Sequence, residues 1–130
     1  EPAGAPRYSL SRKEGKPVTL EKVDTIADGT RTDHAEPENF KAIERLVDEL
    51  VTVEDEWIKK AMVTLAASAK IIAEPSSVMG IGAALAGTLP VKPEEKVCFV
   101  LSGGNNDLSQ LAEVIAYDLS GSGKAGGSLH

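Results

Sequence analysis

Val97-Cys98-Phe99-Val100-Leu101-Ser102-Gly103-Gly104-Asn105 is the stretch on which the reading of this chain turns. An apolar run stops abruptly at Ser-Gly-Gly-Asn, and an acidic, helix-compatible segment starts at Asp107. That order predicts a buried strand delivering a hydroxyl and bare backbone to the carboxyl edge of a sheet. In open α/β sheets, ligands bind in the crevice at that edge. The stretch therefore points to a small-molecule or cofactor site. Glycine permits close backbone approach and positive φ, and the Ser102 hydroxyl can donate to or accept from a heteroaromatic nitrogen. A plain strand-to-helix turn, with Asn105 or Asp107 capping the next helix, accounts for the same residues.

Working outward, a short helix is expected over Arg7–Glu14, closed by Gly15. Residues 15–31 have no helical period and read as loop, with a possible short strand near 18–20. Phe40, Ile43, Leu46, Val47 and Leu50 fall on one helical face and predict an amphipathic helix over 38–50, with Pro37 at its mouth. The β-branched residues at 50–53 read as a strand. A longer helix follows over 54–71, with Asp55 and Glu56 in the first turn, where the helix dipole favours acids. Trp57 in that turn reads as a packing or partner-contact residue. Pro75 breaks the run, and Ser76 or Ser77 can cap a helix over 78–86 that Gly87 ends. Its small residues predict a buried helix closely approached by neighbours. A second strand over 96–101 and a last helix over 108–117 complete the order.

Two short strands cannot close a core by themselves. The strand at 97–101 shows no polar alternation, so it asks for helices on both faces and strands on both sides. The expected fold is therefore α/β: a partial three-layer sandwich of a few mostly parallel strands flanked by helices, its sheet completed by further chain or a partner. The folded part is expected to span 1–119, with 120–130 a flexible tail or fusion scar.

Composition narrows the function classes. A chain of 130 residues makes one domain. Only 4% of it is aromatic, so Val, Leu, Ile and Ala must build the core. The net charge of −6 argues against nucleic acid or an anionic membrane as partner. Arg7, Arg12, Lys13 and Lys16 read as a solvated helix face. Cys98 is the only cysteine, which excludes an intrachain disulfide; inside an apolar strand it reads as a small buried hydrophobe. A reducing, cytoplasmic setting fits. No apolar run approaches the ~20 residues of a membrane span. His34 and His130 make no metal pattern, and His34 is expected to be exposed.

Two further segments could carry chemistry. Glu74, in Ala73-Glu74-Pro75-Ser76-Ser77, lies between two apolar helices, an expensive place for a carboxylate unless it is paired. A capping or solvent-facing role accounts for it as well. Asp28-Gly29, in Thr25-Ile26-Ala27-Asp28-Gly29, is a turn signal.

Taken together, the segments IADG (26–29), EPSSVMG (74–80) and SGGN (102–105) stand in the order and spacing of one family. The chain resembles the C-terminal part of the catalytic domain of threonine/serine dehydratases and serine racemases, pyridoxal-phosphate enzymes of the tryptophan-synthase-β fold type. The resemblance covers about residues 1–115, and Glu1-Pro2 and residues 15–20 also fit it. It implies pyridoxal 5'-phosphate as cofactor. The Ser102 hydroxyl would meet the pyridine nitrogen, a neutral partner suited to an elimination that needs a moderate electron sink. Gly103 and Gly104 would let the backbone pass under the ring, and Asn105 would fix that loop. Gly29 would lie beside cofactor and substrate, and Glu74 would sit close to the ring.

Some relatives bind a divalent cation through a Glu, a carbonyl and an Asp. Glu1 and Ala5 match the first two positions, but Arg7 stands at the third, so no such metal is expected. The family's cofactor lysine and its Gly-rich phosphate loop belong upstream of this segment. No catalytic residue is therefore assigned here, and the chain alone is expected to be inactive. The implied activity is removal of water and ammonia from L-threonine, L-serine or a related β-hydroxy amino acid. Serine racemization, or an inert fragment or binding module, are the competing readings. The expected partners are the N-terminal portion of the catalytic domain, a small amino-acid substrate and further copies in a homo-oligomer.

Overall fold

Left-handed glycines end two helices where the sequence places them: Gly15 at φ 69° and Gly87 at φ 75°. In the computed structural model, which describes residues 1–121, α1 spans Arg7–Glu14, α2 Pro37–Leu46, α3 Asp55–Ala69, α4 Met79–Ala86 and α5 Leu108–Leu119. Single 3₁₀ turns occupy Asp28–Thr30 and Pro75–Ser77. The tail expected beyond Leu119 lies outside the described residues from 122 on, as does His130.

Two helix starts have a carboxylate for the unpaired backbone amides of the first turn. Pro6 precedes α1 and offers no side-chain cap. The Glu1 carboxylate does that work from a distance, accepting the Tyr8 amide at 2.9 Å, the Ser9 amide at 2.8 Å and the Ser9 hydroxyl at 2.7 Å. The anion sits at the positive end of the helix dipole. Asp107, rather than Asn105, caps α5, accepting the Ser109 amide at 2.7 Å. Ser76 and Ser77 do not cap α4; they lie in the preceding 3₁₀ turn, and Val78 stands at the N-cap without a side-chain bond.

The core is centred on α3, which packs on α4 and α5. Ile58, Ala61 and Met62 of α3 are buried with Val78, Ala83 and Val114, and Ala27, Val53 and Ala73 join them from the loops. Trp57 packs against this cluster, partly buried. The α3–α4 approach requires Gly82, whose Cβ would stand 3.0 Å from the Trp57 carbonyl oxygen. A second cluster joins Tyr8, Ala35 and Phe40, with Ile43 and Leu50 against it.

Two basic residues differ from the solvated face expected of them. Arg12 donates to the Glu44 carboxylate at 2.6 Å and to the Val47 carbonyl at 2.9 Å, so it covers the carbonyl end of α2. Arg7 donates to the Thr30 carbonyl at 3.0 Å.

The expected strands are corrected as well. No strand occurs among the described residues. Pairing is reduced to a parallel bridge of Pro2 with Val53 and an antiparallel bridge of Thr19 with His34. A β-ladder needs a paired strand, and residues 50–53 and 96–101 find none among the described residues beyond the Pro2 bridge. The stretch 97–101 is covered on one side only. Phe99 lies against α4, 3.0 Å from where a Gly80 Cβ would stand, and Leu101 packs on the core. Val100 is 80% exposed. Cys98 is exposed too, not the buried hydrophobe its apolar neighbours suggest, because the alternating backbone turns it to the uncovered side. No described helix is long and apolar enough to cross a membrane.

Candidate functional site

Three segments distant in sequence meet at the end of the 97–101 stretch. The Glu74 amide donates to the Gly103 carbonyl at 3.1 Å, and the Gly103 amide donates to the Ser77 hydroxyl at 2.8 Å. This pair of bonds locks the 102–104 loop onto the 3₁₀ turn at Pro75–Ser77. Ser77 is buried, and its oxygen lies 3.1 Å from the Ser102 hydroxyl. Ser102 itself is exposed, at the end of an extended segment rather than of a paired strand.

The glycines are points of close approach. A Cβ on Gly103 would stand 3.0 to 3.1 Å from the three carboxyl atoms of Glu74, and one on Gly104 would stand 2.9 Å from the Ile72 carbonyl oxygen. Gly29 arrives from the third segment: its Cβ would stand 2.8 Å from the Ser76 hydroxyl and 3.5 Å from a Glu74 carboxylate oxygen. The Ser76 hydroxyl is buried there without a hydrogen-bond partner.

Gly29, Glu74, Ser76 and Asn105, with Asp107 and Gln110, line a cavity of about 50 Å³. Small-molecule pockets run to several hundred Å³, so this cavity by itself is too small to hold such a ligand. Four of the six residues expected from sequence, Gly29, Glu74, Gly103 and Asn105, thus border the Glu74 carboxylate or this cavity, and Gly104 backs onto the adjoining Ile72 carbonyl. Ser102 reaches the group through Ser77.

The 25–29 segment is held in place by a residue that the sequence marked only as a helix start. The Asp55 carboxylate, in the first turn of α3, accepts the Thr25 hydroxyl at 2.6 Å and the Ile26 amide at 2.8 Å. Elsewhere, His34 is exposed and pairs with Glu36 at 3.1 Å. Among the described residues no three His, Cys, Asp or Glu side chains cluster as metal ligands.

With this geometry in view, the sequence profile of the family described as "Pyridoxal-phosphate dependent enzyme" matches residues 1–103. The chain belongs to that family. It is 33% identical over 114 residues to the biosynthetic L-threonine dehydratase of Bacillus subtilis, covering 88% of this chain and 27% of that protein. It is 36% identical over 115 residues to the serine racemase of Arabidopsis thaliana, covering 85% of this chain and 34% of that protein. Among solved structures, the processed form of threonine deaminase isoform 2 from Solanum lycopersicum superposes with a TM-score of 0.81 at 32% identity, over 89% of this chain and 34% of that one. The chain therefore spans about a third of these relatives.

The family's cofactor is pyridoxal phosphate, and the residues present suit an aromatic ring. Close backbone approach at the glycines, a buried unpaired hydroxyl at Ser76 and an exposed hydroxyl at Ser102 offer bare backbone and neutral polar groups, with the Glu74 carboxylate beside them.

Ser77 was the residue missed in the sequence. Its position next to Pro75 reads as a helix cap, and nothing local announces a partner in the 102–103 loop.

Proposed function

We propose that this chain supplies the wall facing the cofactor ring in a lyase that removes water and ammonia from L-threonine, L-serine or a related β-hydroxy amino acid, leaving a 2-oxo acid. The observation that carries this reading is the hydroxyl relay from Gly103 through Ser77 to Ser102. Ser77 oxygen already accepts the Gly103 amide. When its own hydrogen points to Ser102 oxygen, the Ser102 hydrogen is left for an acceptor outside the chain. A pyridine nitrogen is such an acceptor.

In this reading Ser102 orients the ring, Gly103 and Gly104 give it backbone clearance, and Glu74 holds a carboxylate beside it. Asn105 and Gly29 close the sides. Bound pyridoxal phosphate supplies the electron sink for bond breaking at the substrate. The lysine and the phosphate loop come from the remainder of the catalytic domain. That remainder also pairs with the extended segments whose apolar side chains are uncovered, Ile71 and Ile72 at 44% and 50% exposure and Val100 at 80%, completing a layered α/β sandwich.

Serine racemization is the second reading, supported by the 36% identity to a serine racemase. One experiment addresses both. The chain is joined to, or mixed with, the polypeptide bearing the cofactor lysine, and L-threonine and L-serine are supplied. Formation of 2-oxobutanoate and pyruvate supports the lyase, and D-serine without 2-oxo acid supports the racemase. An assembled protein that binds the cofactor but transforms neither of these nor a related β-hydroxy amino acid such as 3-hydroxyaspartate overturns both. The chain by itself is expected to transform neither.

A further inference from the structure

We propose that Arg7 is a positioning residue, a clamp that holds the Asp28–Thr30 turn, and with it the Gly29 wall, against Ser76 and Glu74; the link to the cofactor site rests on the function proposed above. The guanidinium of Arg7 leaves α1 and donates through Nη1 to the Thr30 carbonyl at 3.0 Å, across 23 residues of sequence. It stacks over the Tyr8 ring with 4.9 Å from its central carbon to the ring centroid. Its Nε is buried without a partner. Burying an unpaired donor of a cation is unfavourable unless the remaining bonds compensate, so the single strong contact to Thr30 carries the arrangement.

The turn needs such a clamp. Gly29 lines both the small cavity beside Glu74 and, on its other side, an open cleft of about 450 Å³ that Arg7, Tyr8, Arg31 and His34 also border. The turn is thus a thin partition with solvent space behind it. Its front is pinned at residues 25–26 by Asp55. Its far end is pinned by Arg7 at Thr30. Within the turn the bonds are short-range: the Thr30 amide and hydroxyl donate to the Ala27 carbonyl at 2.9 and 2.8 Å, the Arg31 amide to the Asp28 carbonyl at 3.1 Å, and the Arg31 guanidinium to the Asp28 carboxylate at 3.2 Å. A partition held at both ends keeps Gly29 at contact distance from Ser76; one held at a single end can swing into the cleft.

The test compares Arg7→Met and Arg7→Lys in the completed enzyme. Lys keeps the charge and one donor but not the planar fork. Hydrogen exchange is measured first, without cofactor, at the amides of Thr30 and Arg31 and at those of α1. The clamp predicts that Arg7→Met speeds exchange at the turn by about tenfold, the worth of one charge-assisted hydrogen bond, with α1 unchanged and with partial recovery in Arg7→Lys. Cofactor affinity then falls by about threefold to tenfold while the absorbance of what does bind keeps its position. Equal exchange in wild type and Arg7→Met overturns the clamp whatever the function. Faster exchange throughout α1 overturns it as well, because Arg7 would then be a structural residue of that helix. Faster turn exchange with unchanged cofactor affinity overturns the link between clamp and site. A wild-type assembly that binds no cofactor overturns the proposed function instead, while the exchange result still decides the clamp.

Discussion

The side-chain oxygens of Ser77 and Ser102 lie 3.1 Å apart across 25 residues of sequence, and the same Ser77 oxygen accepts the Gly103 amide at 2.8 Å. The two serines therefore do different work. Ser102 faces outward and Ser77 is buried behind it. In the assembled enzyme, Ser102→Ala removes the hydroxyl proposed to face the ring and is expected to lower kcat/KM by about tenfold, the worth of one hydrogen bond near the upper end of its range. Ser77→Ala leaves the Gly103 amide unpaired and is expected to destabilise the fold by about 1–3 kcal/mol, with a smaller effect on turnover. Thermal unfolding beside steady-state kinetics separates the two. Equal turnover in wild type and Ser102→Ala would remove this hydroxyl from the chemistry.

The glycines of the same region differ in what stands opposite them, and their alanine variants should rank accordingly. A Cβ on Gly103 meets the end of the flexible Glu74 side chain, which can swing away, so Gly103→Ala is expected to cost under about 1 kcal/mol while displacing the carboxylate. A Cβ on Gly104 meets the Ile72 carbonyl at 2.9 Å, which is backbone, and about 1–3 kcal/mol is expected. A Cβ on Gly4 would stand 1.6 Å from the Asp24 carbonyl oxygen, which no local shift absorbs. Gly4→Ala should be the most damaging of the three in urea unfolding. An inverted order between Gly103 and Gly104 would contradict the contacts described.

What could be read in the sequence depended on whether its cause was local. The C-terminal ends of α1 and α4 follow from Gly15 and Gly87, because a residue in the left-handed conformation ends a helix. The Asp107 cap is equally local. The strands read at 50–53 and 96–101 do not occur among the described residues, because 97–101 carries the composition of one but finds no partner there for its edges. Cys98 shows the same limit: its neighbours are apolar, yet burial depends on what covers that face. The site was legible in part. Gly29, Glu74 and Gly103 converge as their motifs imply, whereas Ser77 and Asp55 act through tertiary contacts, and their local settings suggest only caps and a helix dipole.

Asp55 offers a test of how firmly the 25–26 segment must be held. Its two carboxylate oxygens divide the task, one accepting the Thr25 hydroxyl at 2.6 Å and the other the Ile26 amide at 2.8 Å. Hydrogen bonds to a charged group are stronger than neutral ones. Asp55→Ala is therefore expected to destabilise by about 2–3 kcal/mol, and Asp55→Asn by less, because its single oxygen can serve only one donor well. Chemical denaturation of the assembled enzyme measures both. Indistinguishable midpoints for wild type and Asp55→Ala would show that the segment is held by packing of Ala27 alone.

The α5 cap carries a pH dependence with a definite sign. Hydrogen bonds from the Ser109 side chain, the Ser109 amide and the Gln110 amide hold the Asp107 carboxyl below its ordinary value of 3.8. In the unfolded chain the group titrates at that ordinary value. Its ionised form therefore favours the folded helix, the full contribution is present above pH 3.8, and it is lost as the pH falls through the lower folded value. Asp107→Asn keeps a neutral acceptor at the N-cap and removes the titration; Asp107→Ala removes both. Hydrogen exchange at the first-turn amides of α5, followed downward from neutral pH, should show protection lost in acid for wild type, weaker but level protection for Asn, and little at any pH for Ala, once intrinsic exchange rates are divided out. A wild-type profile parallel to that of Asp107→Asn would mean that the carboxylate's charge contributes nothing to the start of this helix.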